Sequence, residues 1–364
     1  MKKALDLSNR IGWIDLLEVI AIFFVIFYHS SIMSVDIMAL DSSKSTYILY
    51  YSRTILSTCV PLFFFVNGYL LFGKNLKLRN HVYKIIKFSI LAIFWGIITL
   101  FILSVFHVET LTVHEFINDL LNWKQGYINH LWFLGALVCI YIFFPLLKIA
   151  YDYNKKIFFY FILVCGIFTF GNSLINYIKS IIYYFFFNQV LPYEYNNFNI
   201  FNPFRGIYGY TFVYFCLGGI IRLYFNNILK ISKYVRNIVS IIGLCISCFG
   251  LFLIGVFYSK IFGVTWDVVW NGYSSCFTLM NVLFIFNLSL NYKSNNIIIY
   301  LLSICTLGIY FIHVFLIHFI RINTLDITVI NIFIQLGYSI FVLIFSLCIT
   351  LLFKKIPILK KLVC

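Results

Sequence analysis

The stretch WIDLLEVIAIFFVIFYHSS, Trp13 to Ser31, decides how this chain is read. It is an apolar run close to the roughly 20 residues that cross a hydrocarbon core. Yet it carries Asp15, Glu18 and His29. An ionisable side chain at membrane depth costs roughly 2.5–3.5 kcal/mol on insertion scales, so it is normally kept for a pathway or a reaction. Two lysines precede the run, which makes a cleaved signal peptide the competing reading. The segment is too long for that, holds two acids and lacks a clear small-residue cleavage site, so it is expected to remain as the first span.

The rest of the chain has the same character. Apolar residues make up 62% and charged residues 11%, against about 25% charged in a soluble globular protein. The 43 Phe and 27 Tyr suit a lipid-facing surface with aromatic belts at both interfaces. Ten hydrophobic runs are expected to span, at about 14–35, 48–72, 85–106, 131–150, 157–176, 208–226, 235–258, 267–290, 297–320 and 329–353. With the amino terminus in the cytoplasm, 20 Lys and Arg fall on the inner side and 7 on the outer. That asymmetry is the positive-inside rule. The net charge of +15 is therefore a topology signal, and no nucleic-acid partner is implied. The expected fold is all-α and polytopic, with about ten transmembrane helices, both termini cytoplasmic, and one membrane-embedded domain over 1–364.

Nearly all of the ten scattered cysteines fall inside the predicted helices, where Cys packs as a small apolar residue. Cys245 and Cys248 have the gap of a redox or zinc pair, but no second pair or nearby His completes a site, and no metal is expected. The longest non-spanning segments, 107–130 and 177–207, are both assigned to the outside. The second mixes aromatics, Tyr193 among them, with Asn, Glu194 and Arg205. It reads either as an interfacial aromatic belt, which alone accounts for the rings, or as a face for a saccharide.

Depth sorts the polar residues into two groups. At 1.5 Å per residue His29 stands about 22 Å up the first helix and Glu18 only about 6 Å. The two share a face, being 11 residues or about three turns apart, but cannot touch. The second helix runs inward to Asn67 and Gly68. Beyond it lie Arg79, Lys84 and Lys87, the last two on one helical face. The ninth helix lifts Tyr310 and His313 to the height of His29, and His130 and Trp132 open the fourth helix at the outer surface. A histidine-rich layer outside and a basic, phosphate-suited cluster inside follow.

Five blocks now match a known pattern. They are Ile14 to Ser30, PLFFFVNGYLLF at 61–72, HLWFLGALVCIYIFFPLL at 130–147, YFCLGG at 214–219 and LGIYFIHVFL at 307–316. In order and spacing they resemble the membrane acyltransferase 3 family across most of the chain. The resemblance implies transfer of an acyl group, usually acetyl, from cytoplasmic acyl-CoA to a hydroxyl of a surface polysaccharide or its lipid-linked precursor. It also implies that His29 is the catalytic base. Where the family usually has an arginine 11 residues before that histidine, this chain has Glu18, and Arg10 or Lys87 is left to steady the donor. Lys84 and Lys87 stand where the family tends to have two arginines, keeping charge but losing the bidentate fork. Asn67-Gly68 replaces the usual Ser-Gly.

The expected mechanism has two layers. Lys84 and Lys87, with Arg79, hold the phosphates of acetyl-CoA, and the thioester reaches up between helices. His29 takes the proton of a hydroxyl presented from outside, with His130, Trp132, Tyr193 and Arg205 as candidates to hold the acceptor. Asn67, Tyr310 or His313 polarises the developing oxyanion or orients the base. Glu18 tunes a proton path or pairs with Lys87. A transporter or flippase for lipid-linked saccharides, or a saccharide polymerase, is the alternative class. The Ile-, Asn-, Lys- and Phe-rich composition fits an AT-rich bacterial genome, and the oligomeric state is unreadable.

Overall fold

The first apolar run folds as α1, Gly12–Ser31. It is the helix around which others assemble, packing on α3, α11, α12 and α13. Leu17, Ala21, Ile22 and Ile26 on its inner face are fully buried. The computed structural model describes residues 10–31, 35–39, 43–105, 112–122, 128–191, 196–198, 208–293, 296–324 and 332–363. Among them the secondary structure is helical, with no strand. After α1 come α2 Lys44–Leu56, α3 Cys59–Phe72, α4 Leu78–Val105 and the short α5 Val113–Asn122. A 3₁₀ turn, Asn129–Leu131, leads into α6 Trp132–Tyr153. Next are α7 Lys155–Gly166, a π-turn Ile167–Gly171 and α8 Asn172–Phe187. The chain closes with α9 Gly209–Lys230, α10 Lys233–Phe262, α11 Cys276–Ser289, α12 Ile297–Thr324, α13 Ile332–Lys355 and α14 Pro357–Lys360.

Nine helical stretches among the described residues are long and apolar enough to span, and they coincide with nine of the ten expected runs. The chain is an all-α, multi-pass membrane protein. The tenth run, 267–290, is helical only over Cys276–Ser289. Its first part, 268–274, is turned backbone. Irregular backbone at such a depth is tolerated where it lines a cavity, which is where this segment lies. The run at 48–72 is also not one helix. Pro61 has no N–H to offer the carbonyl four residues back, and the chain breaks at Ser57 and Thr58 between α2 and α3. The run ending at 176 is too short as read: α7, the π-turn and α8 continue to Phe187, so 177–187 is helix rather than loop. The stop is Asn188, whose φ of 51° is the left-handed cap that Asn tolerates.

Lipid-facing surface is legible on α10, where Val235, Val239, Ile242, Ile246, Phe249 and Leu253 are all exposed at helical spacing. The tightest helix pairing is α3 on α9. A Cβ at Gly68 would strike the carbonyl of Phe215, and one at Gly218 the backbone of Phe65 and Tyr69. The absence of side chains there lets two backbones touch, the small-residue packing of membrane helices. Among the described cysteines Cys59, Cys165, Cys216, Cys248 and Cys305 are buried, while Cys139, Cys245 and Cys348 face outward.

Candidate functional site

Near one end of the bundle the helices enclose a cavity of about 440 Å³, within the range of small-molecule sites. Tyr28 and His29, beside Val25 one turn earlier on α1, form one wall. Cys59 and Val60 at the start of α3 form another. The 3₁₀ turn and the first residues of α6 contribute Asn129, His130, Trp132 and Phe133. Helix α12 contributes Tyr310, Val314 and His318, four residues apart and hence on one face. Trp270 and Tyr273 come from the turned segment before α11. Among the described residues no Asp, Glu, Lys or Arg lines it.

The histidines expected at one height are together. The His29 ring lies 5.4 Å from that of His313, and His313 lies 6.1 Å from His130. His313 is fully buried, and its Nδ1 is 2.6 Å from the carbonyl oxygen of Tyr310. A carbonyl only accepts, so Nδ1 carries the hydrogen and the neutral ring presents a bare lone pair at Nε2. That atom is buried without a hydrogen-bond partner among the described residues. His313 is thus built as an acceptor and not as a donor to an oxyanion. The Tyr310 hydroxyl donates to the carbonyl of His130, so its proton is also committed. Among the described residues no group of three or more His, Cys, Asp or Glu is arranged to hold a metal.

An ion pair braces the cavity. Asp267 accepts from the Tyr28 hydroxyl at 2.6 Å and from buried Arg53 at 3.3 Å. The Arg53 guanidinium also lies over the Tyr28 ring, 5.1 Å from its centroid. The same carboxylate accepts the backbone N–H of Val269 at 2.9 Å, which fixes the turn carrying Trp270. On the opposite wall Trp132 stacks on Tyr208 at 5.0 Å and meets Trp270 edge-on at 5.2 Å. The floor is a layer of rings: Phe133 packs against Tyr310, Phe63 and Phe64 at 5.6, 5.7 and 5.0 Å.

The basic residues sit beyond that floor. Lys84 is half-buried with its ammonium 4.4 Å from the centre of the Tyr141 ring. The Tyr141 hydroxyl donates to Asn67 Oδ1 at 2.9 Å, and Asn67 donates to the carbonyl of Phe63 at 2.9 Å. Asn67 therefore belongs with Lys84 and does not line the cavity of His29. Lys87 is half-buried and Arg79 exposed on the same helix. Arg10 is engaged elsewhere: it chelates Asp15 through two nitrogens and donates to Ser303 Oγ at 2.8 Å. The Ser303 hydroxyl also contacts Asp15 at 2.8 Å and Glu18 at 2.6 Å. Glu18 thus pairs with Ser303 of α12, not with Lys87. Tyr193 and Arg205 lie outside the described residues.

His29 thus stands on a half-open, largely apolar cavity, and Lys84 and Lys87 of α4 are not among the residues that line it. A family model described as an acyltransferase domain matches residues 11–353, nearly the whole chain. The chain belongs to this acyltransferase family. No curated protein and no solved structure matches it. His29, Tyr310 and His313 lie in one cluster, at one height as helix rise leads one to expect. Other residues at or beside the cavity or against α1 are not singled out by the sequence reading. His318 was detectable from its eight-residue spacing to Tyr310, and Asn129 from its place beside His130. Asp267, Arg53 and Ser303 gave no local signal, because each acts through a partner more than 200 positions away.

Proposed function

We propose that this acyltransferase moves an acetyl group from cytoplasmic acetyl-CoA to a hydroxyl of a surface polysaccharide or its lipid-linked precursor, in a bacterial cell membrane. The observation that carries the reading is His29, half-buried on a cavity with no Asp, Glu, Lys or Arg among its described lining residues and with the His313 ring 5.4 Å from its own. Lys84 and Lys87 hold the donor phosphates from the basic end, and Tyr141 and Asn67 fix Lys84 in place. The pantetheine arm passes the Phe63–Phe133–Tyr310 layer, which parts as the donor binds. The acceptor stands against the aromatic wall of Trp132 and Trp270. His29 takes its hydroxyl proton as the oxygen attacks the thioester carbonyl. The carbon–sulfur bond then breaks, and His29 returns the proton to the departing CoA thiolate. The N–H of the transient imidazolium is met by His313 Nε2.

The test is a strain lacking this gene, complemented with wild type or His29→Gln, with base-labile acetate released from the envelope as the readout. Restoration by wild type and none by His29→Gln is the expected result. Full restoration by His29→Gln contradicts the mechanism. Loss of the polymer itself on deletion, rather than of its acetate, favours export or polymerisation instead.

A further inference from the structure

Asn129 is a polar group on the cavity that the mechanism above does not use. It stands on the 3₁₀ turn before α6. Its Oδ1 is buried and has no hydrogen-bond partner among the described residues. A buried acceptor left unpaired is unfavourable, and in a native protein it calls for an explanation such as a ligand. The surroundings say which kind. Among the described residues no Lys or Arg lines the cavity to attract an anion, and no Asp or Glu lines it to attract an amine. What the cavity offers is an orphan carbonyl-type oxygen within the same small volume as His29 and Trp132.

We infer that Asn129 is a specificity-determining residue that accepts a hydrogen bond from a second, non-reacting hydroxyl of the acceptor. The preferred acceptor is then an uncharged compound with neighbouring hydroxyls, and a simple alcohol is used poorly. This rests on the reading of His29 as the base for a hydroxyl acceptor. Reaction at the first hydroxyl balances as above: its proton goes to His29, the ester bond forms, the thioester bond breaks and CoA leaves as the thiol. The second hydroxyl changes no bonds and only orients the first.

The experiment uses the full chain in nanodiscs with radiolabelled acetyl-CoA, and compares ester formation on glycerol and on 1-propanol. Wild type is expected to favour glycerol about fivefold, the worth of one neutral hydrogen bond. Asn129→Leu brings that ratio to about one, and Asn129→Asp, which keeps an acceptor oxygen in place, retains a preference. A thermal melt separates specificity from structure: because Oδ1 makes no internal bond, Asn129→Leu is expected to melt no lower than wild type. An unchanged ratio in Asn129→Leu overturns the assignment, as does a wild type that uses both alcohols equally or neither. Ester formation that persists in His29→Ala overturns the reading of His29 and leaves the Asn129 ratio still readable.

Discussion

The imidazoles of His29 and His313 face each other from adjoining helices with centroids 5.4 Å apart and planes inclined by 46°. His29 stands on the cavity, while His313 stands behind it with Nδ1 tied to its own helix. In the proposed reaction one ring meets substrate and the other orients the first. Replacing His313 by Asn keeps a donor for the Tyr310 carbonyl and removes the Nε2 lone pair. Acetyl transfer is expected to fall about 100-fold, the lower range for a general-base contribution, with little change in acetyl-CoA KM. A kcat within threefold of wild type would remove His313 from the mechanism.

In the proposed reaction the cations across the ring floor hold the donor. Lys84→Gln is expected to raise the acetyl-CoA KM about tenfold, in line with one charge-assisted contact, with kcat held within about threefold. Tyr141→Phe retains the ring under the ammonium and should be milder than Tyr141→Leu. Steady-state kinetics at saturating acceptor separates these outcomes.

Ser303 bridges α1 and α12 where the family pattern has an arginine in place of Glu18. Ser303→Ala leaves the Glu18 Oε2 without this partner, at an expected cost of about 1–3 kcal/mol. Glu18→Gln keeps a hydrogen-bonding group and is expected to cost less. Differential scanning fluorimetry in detergent ranks the two, and equal melting of Ser303→Ala and wild type would show that the bridge does not stabilise the fold.

The α3–α9 contact tolerates no added carbon. Gly218→Ala drives a methyl into the backbone of Phe65 and Tyr69, and overpacking of this kind costs about 1–3 kcal/mol. The melting midpoint is expected to drop by several degrees. Gly166→Ala, where a Cβ meets nothing within 4 Å, is the matched control and should leave it unchanged.

Most of the fold could be read from hydropathy, because every backbone group in a lipid core must be satisfied within a helix. That same logic misses 268–274, whose apolar sequence looks like helix but whose backbone is turned along a cavity wall. It also ends the fifth run too early, at 176, close after Asn172. Asn172 and Asn176 are polar residues inside a continuing helical stretch, bonded to Asn197. The height of His29, His130, Tyr310 and His313 followed from helix rise alone. Their detailed roles did not, because the tautomer of His313 and the committed proton of Tyr310 depend on backbone carbonyls that a sequence does not locate. Asp267 bracing Tyr28 and Arg53 was likewise invisible, being a contact between three separate helices or turns.

The central claim is that His29 activates an acceptor hydroxyl for attack on a thioester delivered from the basic end. The most direct measurement is acetate transfer from labelled acetyl-CoA by purified wild type and His29→Ala in nanodiscs, with acetyl-CoA binding followed in parallel. The account predicts that His29→Ala binds acetyl-CoA with wild-type affinity and forms ester at least 100-fold more slowly. Ester formation at the wild-type rate by His29→Ala would contradict it.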